Sequence, residues 1–195
     1  MRYLALGDSF TIGTGTTPDL SFPAMLARRW RERDIECDLR NPAVNGFTTD
    51  DLIREELPLL ETYAPDLVTI LIGANDIVAG SSEGRYRAQL RRIHERITAV
   101  VPRARRYALP QPDWSVAPAS VAFGDPADVG RTIERFNEIA RDEATRAGGT
   151  YVDIFPLMRE QMRAGMTAPD RLHPSAAAYA AWADALEGRL APTLS

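Results

Sequence analysis

Five short apolar segments alternate with segments of helical periodicity, and this alternation is the feature that most constrains the fold. The apolar segments are residues 3–6, 37–40, 67–72, 107–109 and 151–154. The third, LVTILI, is continuous and rich in β-branched residues, as expected for a strand that is covered on both faces. Strands that alternate with helices predict a parallel sheet with helices on both sides. The sequence therefore predicts an α/β fold, a three-layer α/β/α sandwich around a five-stranded parallel sheet.

The helices are predicted from apolar residues that recur at spacings of three and four. They cover residues 22–33, 84–100, 127–147 and 175–190. Thr49 is predicted to cap a further helix. In the last helix, Tyr179, Trp182 and Leu186 form an apolar face that we expect to pack in the core. Residues 111–126 have no periodicity, which indicates a functional or a mobile loop.

The composition and the apolar pattern argue against several kinds of partner and site. The net charge of −4 argues against nucleic acid or an anionic membrane as a partner. No apolar stretch forms a signal peptide or approaches the ~20 residues of a membrane span, so we expect a cytoplasmic protein. With Cys37 as the one cysteine and two distant histidines, we expect neither a disulfide nor a metal site. No repeat or linker interrupts the chain, which predicts that residues 1–195 form a single domain.

Four polar clusters come after four of the predicted strands. They are GDS at 7–9, NPAVNG at 41–46, GAND at 73–76 and DRLH at 170–173. The last of them follows the fifth strand beyond a short helical segment near residues 156–163. Because ligands bind at the carboxyl ends of the strands in an open parallel sheet, we expect the clusters to converge at one edge. Turn formation explains any one cluster, but it would not select Ser, Asn, Asp and His together.

One serine and one histidine in these clusters fit the needs of acyl-bond hydrolysis. Ser9 is the candidate nucleophile, and His173 is the candidate base because an imidazole titrates near neutral pH. Asp170 lies three residues earlier, within reach of the near ring nitrogen of that histidine. Taken singly, Ser9 is also compatible with a turn or cap, and Asp170 with the end of a loop. The other histidine, His94, is expected on the solvated face of an arginine-rich helix.

Acyl transfer also needs donors for the negative charge that develops on the carbonyl oxygen. Asn75 offers a side-chain amide N–H at the end of the most apolar strand. Gly46 lacks a Cβ, so its backbone N–H can approach a substrate closely. The backbone N–H of Ser9 would complete a hole of three donors. The simpler alternatives are that Asn75 belongs to an Asn-Asp turn at 75–76, and that position 46 is glycine only because the backbone there needs a positive φ.

The ordered set of these motifs resembles the GDSL/SGNH hydrolases, which are serine esterases and lipases. The resemblance is carried by GDSF at 7–10, N-x-A-x-x-G at 41–46, G-x-N-D at 73–76 and D-x-x-H-P at 170–174. Any one of these motifs is unspecific, but their order spans nearly the whole chain. Phe10 stands where leucine is common in the family, which is a hydrophobic exchange. The resemblance implies a flavodoxin-like fold and gives Asp8 a structural role in its loop.

The resemblance also implies a role for each candidate residue. Ser9 is the nucleophile, His173 the base and Asp170 the partner of that base. The backbone N–H groups of Ser9 and Gly46 and the side chain of Asn75 form the oxyanion hole. For ester hydrolysis by these residues, we expect no cofactor to be needed.

The predicted function is hydrolysis of small carboxylic esters through an acyl-enzyme on Ser9. Two alternatives stay open: acyl transfer or thioester cleavage by the same residues, and a binding module that has kept the fold without activity. Trp114, Val116 and Phe123, in the long aperiodic loop, are predicted to line the acyl or alcohol pocket. The sequence predicts a small-molecule ester as the partner, and it predicts neither the particular ester nor the oligomeric state.

Overall fold

A single parallel sheet forms the centre of the molecule. The computed structural model describes residues 1–102 and 104–190, and five strands of this part pair in parallel in the order β2-β1-β3-β4-β5. The strands are β1 (Arg2–Gly7), β2 (Asp38–Arg40), β3 (Leu67–Leu71), β4 (Arg105–Ala108) and β5 (Thr150–Tyr151). The predicted five-stranded parallel sheet is confirmed.

Helices cover both faces of this sheet. They are α1 (Ser9–Ile12), α2 (Phe22–Arg31), α3 (Thr49–Asp51), α4 (Leu59–Tyr63), α5 (Ala74–Val78), α6 (Glu83–Val100), α7 (Pro126–Arg146), α8 (Phe155–Arg163) and α9 (Ala176–Leu190). A π-helical turn, Leu52–Glu56, continues α3, and short 3₁₀ helices form at Pro18–Leu20, Trp114–Val116 and Pro118–Phe123. The three-layer arrangement that the sequence predicts is therefore confirmed.

The period of two along β1 divides its side chains between two cores. Tyr3 and Ala5 belong to the core that α2, α8 and α9 cover, whereas Leu4 and Leu6 belong to the core that α6 covers. Successive side chains of a strand point to opposite faces, so a strand with helices on both sides must be apolar throughout. The apolar face predicted for the last helix is buried in the first of these cores.

Two strands differ from the predicted bounds by two residues or more at one end, and the other three by one residue. β4 begins two residues early because Arg105 and Arg106 pair in register with Leu67 and Val68 of β3, although their side chains are charged. β5 is a two-residue edge strand, and after it only the N–H of Val152 still donates to the Ala108 carbonyl. Residues with charged side chains can therefore belong to a strand through backbone pairing, although the apolar pattern of the sequence does not identify them.

The predicted cap at Thr49 is wrong by one residue. Thr48 caps α3, because its hydroxyl accepts from the Asp51 N–H while the Asp51 carboxylate accepts from the Thr48 N–H at 3.0 Å. Thr49 instead donates its hydroxyl and its backbone N–H to the Asp76 carboxylate, at 2.5 and 2.9 Å. Thr49 therefore links the start of α3, just after the second polar cluster, to the third cluster.

His94 is buried, which corrects the prediction that it lies on a solvated face. It is only 2% exposed, and neither ring nitrogen has a hydrogen-bond partner among the described residues. The position follows Leu90 by four residues and precedes Ile97 by three, so it lies on the apolar stripe of α6 that packs against α7. Burial, reinforced by the nearby Arg106 guanidinium, lowers the pKa of His94 to about 4.

This burial predicts a loss of stability in acid. The folded-state pKa lies below the ordinary value near 6.5, so the unfolded chain binds the proton first and the contribution of about 3 kcal/mol is lost as the pH falls from about 6.5 to 4. We expect His94→Leu to reduce the difference in the urea-measured free energy of unfolding between about pH 7 and pH 4.5. A variant that loses as much stability as the parent protein would contradict this assignment.

Candidate active site

Ser9 lies at the first position of the short helix that follows β1. Asp8 caps this helix, since its Oδ1 accepts from the Phe10 N–H at 3.0 Å, and Gly13 ends it with a φ of +85°. Ser9 therefore lies at the carboxyl edge of the sheet, where a parallel α/β fold binds ligands.

Gly7 allows this turn to form against the neighbouring strand. A Cβ at position 7 would lie 2.2 Å from both the Leu71 carbonyl oxygen and the Thr11 hydroxyl. The Gly7 N–H donates to Glu56 Oε2 at 3.0 Å, so a carboxyl from the π-helical turn supports the residue two positions before Ser9. No motif in the sequence marked Glu56, because it reaches the site only through the tertiary fold.

Two buried carboxyl groups thus lie behind the candidate nucleophile. Asp8 and Glu56 are each at most 1% exposed, and each has one oxygen without a hydrogen-bond partner among the described residues. Burial raises the pKa of Asp8 to about 7 and that of Glu56 to about 8. Both therefore retain protons at a pH where an exposed carboxyl group is fully ionised.

His173 is held by Asp170 in a tight turn. Asp170 Oδ2 lies 2.7 Å from His173 Nδ1, and Asp170 Oδ1 accepts from the backbone N–H groups of Leu172 and His173 at 3.0 Å each. Partial burial acts to raise the pKa of Asp170, but these donors hold it below its usual value. An ionised carboxylate on Nδ1 leaves Nε2 of the ring as the proton acceptor. The spacing of three residues has the effect that the sequence analysis expected.

Hydrogen bonds hold the second and third polar clusters to neighbouring segments of the chain. Asn75 Nδ2 donates to the Phe47 carbonyl at 2.8 Å, and Asn41 Nδ2 donates to the Thr11 carbonyl at 2.9 Å. Gly46 has a φ of +89°, and a Cβ there would contact nothing within 4 Å. The backbone at Gly46 therefore faces open space, and its left-handed conformation favours glycine.

These residues surround one cavity of about 330 Å³. Its lining comprises Ser9, Phe10, Asn45, Gly46, Ala74, Asn75, Val78, Trp114, Phe123, Leu172 and His173. The structure thus brings together one or more residues from each of the four clusters. Within the described residues no hydrogen bond joins Ser9 to His173, and such bonds commonly tighten only when substrate binds.

The predicted pocket residues divide into two groups. Trp114 and Phe123 line the cavity, with their rings in edge contact at a centroid distance of 5.6 Å. Val116 does not line it and is 38% exposed on the same 3₁₀ segment. Sequence reasoning missed Val78, although its place one helical turn after Asn75 on α5 was a usable signal.

The described residues contain neither a candidate metal site nor a candidate membrane-spanning helix. No group of three or more His, Cys, Asp or Glu side chains there could hold a metal ion. Among the helices of residues 1–102 and 104–190, none has the length and apolar character needed to cross a membrane.

An open parallel sheet that gathers a hydroxyl, an imidazole–carboxylate pair and N–H donors at one edge is typical of acyl hydrolases that use serine. The chain belongs to the GDSL-like lipase/acylhydrolase family, whose profile matches residues 5–181. The family resemblance predicted from the four motifs is confirmed.

Several known proteins are similar to this chain in sequence or in fold. The chain is 23% identical to the thioesterase 1/protease 1/lysophospholipase L1 of Escherichia coli strain K12, over 98% of this chain and 84% of the relative. It is 33% identical to an arylesterase of Vibrio mimicus over 79 residues, which are 40% of each chain. The structure of the acetylxylan esterase Axe2 of Geobacillus stearothermophilus has a TM-score of 0.78 at 19% identity, over 98% of this chain and 94% of that one.

Proposed function

We propose that this chain hydrolyses carboxylic esters through an acyl-enzyme on Ser9. The observation that carries the proposal is the single cavity lined by Ser9, His173, Gly46 and Asn75, with Asp170 bonded to the imidazole. Membership of a family of lipases and acylhydrolases supports the same reaction class.

The first half of the reaction transfers the acyl group to the enzyme. Ser9 Oγ attacks the carbonyl carbon and its proton passes to His173 Nε2, while Asp170 stabilises the imidazolium through Nδ1. The tetrahedral intermediate then expels the alcohol, which takes the proton from His173. In the second half, water gives a proton to His173 and attacks the acyl-serine, and the returned proton restores Ser9 as the acid leaves.

The oxyanion of each tetrahedral intermediate needs N–H donors. The backbone N–H groups of Ser9 and Gly46 and the side-chain amide of Asn75 are the proposed donors. Asn75 Nδ2 uses one of its two N–H groups on the Phe47 carbonyl, so the other remains for the substrate. The bond to Phe47 fixes the direction in which that second N–H points.

Asn75→Ala tests this assignment. We expect kcat for p-nitrophenyl acetate to fall about 10²- to 10³-fold with little change in KM, because the donor acts on charge that exists only in the transition state. Steady-state kinetics checks the result, and Asn45→Ala, which removes another amide from the cavity lining, serves as the matched control. A change of similar size in KM alone would assign Asn75 to ground-state binding instead.

A second candidate function uses the same residues with another acyl donor or acceptor. The relative from Escherichia coli that aligns with 98% of this chain is named a thioesterase as well as a lysophospholipase. Thioester cleavage or transfer to an alcohol would follow from the same acyl-enzyme. Products analysed with an oxygen ester, a matched thioester and an added alcohol acceptor distinguish the three reactions.

Covalent labelling tests the proposed nucleophile directly. A fluorophosphonate probe should form one adduct, located on Ser9 by mass spectrometry of the digested protein, because its tetrahedral phosphorus resembles the intermediate. Ser82→Ala, which removes a hydroxyl that does not line the cavity, should be labelled like the parent. Failure to label Ser9, together with failure to hydrolyse any ester, would favour the binding module.

The remaining predictions concern partners and location. A small-molecule ester is the proposed partner. The single-domain organisation of residues 1–195 and the cytoplasmic location stay predictions from the sequence.

A further inference from the structure

Glu56 is a buried carboxyl group that reaches the end of β1 from a separate element. It lies in the π-helical turn that the Leu57 N–H closes by donating to the Leu52 carbonyl, five residues earlier, at 3.1 Å. Glu56 and Leu57 are both buried, so this wider turn directs two consecutive side chains into the interior. Turns of this kind occur frequently at functional sites. The Glu56 carboxyl meets β1 at Gly7, where its Oε2 accepts the backbone N–H at 3.0 Å.

The surroundings of Glu56 suit a neutral acid better than a carboxylate. An ionised carboxylate in the interior needs a cation or several N–H donors. Glu143 is equally buried and has such partners, the guanidinium groups of Arg87, Arg91 and Arg146. Burial acts to raise the pKa of Glu143, but these partners hold it below its usual value. Within residues 1–102 and 104–190, Glu56 has one N–H donor, no cation beside it, and a second oxygen without a hydrogen bond.

The charged group that faces Glu56 is a second carboxyl, that of Asp8. Burial raises the pKa of Glu56, and the Asp8 carboxyl raises it further. The groups that act electrostatically with Asp8 are Asp76 on α5 and the hydroxyls of Tyr86 on α6 and Tyr179 on α9. Burial raises the pKa of both tyrosines well above the ordinary value of 10, so both stay neutral. The two carboxyls therefore retain at least one proton at neutral pH and lose the second above about pH 8.

The charge on Glu56 bears on the reaction because a proposed oxyanion donor lies at the same end of β1. The Ser9 N–H follows Gly7 by two residues. A negative charge on Glu56 would oppose the charge that develops on the substrate oxygen, and a buried site screens this repulsion poorly. At an effective dielectric constant of about 20, a unit charge about 10 Å from the oxyanion slows the step by about tenfold.

We propose that Glu56 is a positioning residue for Ser9 and that it acts as a neutral acid. One of its oxygens holds the Gly7 N–H, while the proton on the carboxyl keeps a second negative charge away from the oxyanion donors. The proposal rests on the proposed esterase function and deepens it. Ionisation of Glu56 then lowers the activity at alkaline pH. His173 cannot cause such a fall, because a general base works in its neutral form.

The pH dependence of kcat/KM for p-nitrophenyl acetate tests the proposal, because it reports the ionisation of groups in the free enzyme. In the parent protein kcat/KM should fall about tenfold between pH 7 and pH 9.5. Glu56→Gln keeps an acceptor for the Gly7 N–H but cannot ionise. Its kcat/KM should match the parent at pH 7 and stay level up to pH 9.5.

Two further variants separate the proton from the hydrogen bond. Glu56→Leu leaves the buried Gly7 N–H without an acceptor, so its kcat should be lower than that of Glu56→Gln at every pH. Glu55→Gln is the matched control, since Glu55 precedes Glu56 on the same turn, is exposed and pairs with Arg54. It should keep the alkaline fall of the parent.

A second readout does not depend on turnover. The folded protein holds a proton on Glu56 that the unfolded chain releases near pH 4.5, so the stability that this proton contributes is lost as the pH rises toward 8. The urea midpoint of the parent should therefore fall between pH 7 and pH 9 by more than the midpoint of Glu56→Gln. Equal falls would overturn the assignment of a proton to Glu56.

The outcomes separate this proposal from the one on which it rests. If esters are hydrolysed and Ser9 is labelled, but the parent shows no alkaline fall or Glu56→Gln retains it, the role of Glu56 is overturned and the esterase function stands. A folded Glu56→Leu variant as active as Glu56→Gln would also overturn the positioning role. If no ester is hydrolysed and Ser9 is not labelled, the proposed function itself fails, and the role of Glu56 in it fails too.

Discussion

Ser9→Ala is expected to lower kcat for p-nitrophenyl acetate by about 10⁵-fold, because removal of the proposed nucleophile closes the acyl-enzyme route altogether. The residual rate would come from the N–H donors and from binding, which together still accelerate attack by water. The Ser9 side chain makes no hydrogen bond in the described residues that its removal would break. The free energy of unfolding should therefore change by less than about 1 kcal/mol.

Two measurements keep this result interpretable. Steady-state kinetics gives kcat and KM, and circular dichroism in urea shows that the variant is folded. Ser82→Ala is the control for loss of a serine hydroxyl, and we expect it to keep its activity while it loses part of the cap of α6. If Ser9→Ala retained most of its activity in a folded protein, the proposed mechanism would be wrong.

Gly7→Ala should destabilise the protein by more than about 4 kcal/mol or prevent its accumulation in folded form. The added methyl carbon would lie 2.2 Å from the Leu71 carbonyl oxygen, which belongs to the backbone of the paired strand and cannot turn aside as a side chain can. Relief requires that β1 move away from β3 at the end that carries Ser9. Activity should fall with stability, because Ser9, the proposed nucleophile, moves with the strand.

Gly188→Ala provides the matched control for this substitution. Gly188 is exposed within α9, and a Cβ there contacts nothing within 4 Å. Alanine is the better helix former, so we expect a gain of about 0.5–1 kcal/mol in the free energy of unfolding. Equal stabilities for Gly7→Ala and the parent would show that the close approach of β1 to β3 does not limit this position.

The sequence predicted those parts of the fold and site that depend on local pattern. Continuous apolar runs and strand–helix alternation predict the sheet and its layers, and the four clusters converge because the carboxyl ends of parallel strands share one edge. The contact of Asp170 with His173 followed from their spacing alone. These inferences needed only the periodicity of the chain and the topology that it implies.

What the sequence did not predict depends on tertiary packing. Glu56 reaches Gly7 from a different element, and no local pattern encodes that contact. His94 was expected at the surface because histidine is polar, but α7 packs against the apolar stripe of α6 on which His94 lies. Val116 belongs to the segment that lines the cavity but does not line it itself, because the backbone conformation of a 3₁₀ helix decides which side chains face inward.

The hydrogen bonds of Asn75 and Asp76 determine when the proposed oxyanion site takes its shape. Asp76 holds the backbone of Thr49, and Asn75 holds the carbonyl of Phe47, so the loop that carries Gly46 is fastened to α5 before any ligand is present. Folding of the chain therefore sets the distance between two of the proposed donors, the Gly46 N–H and the Asn75 side chain. A substrate that enters finds dipoles already aligned, and little reorganisation energy remains to be supplied during the reaction itself.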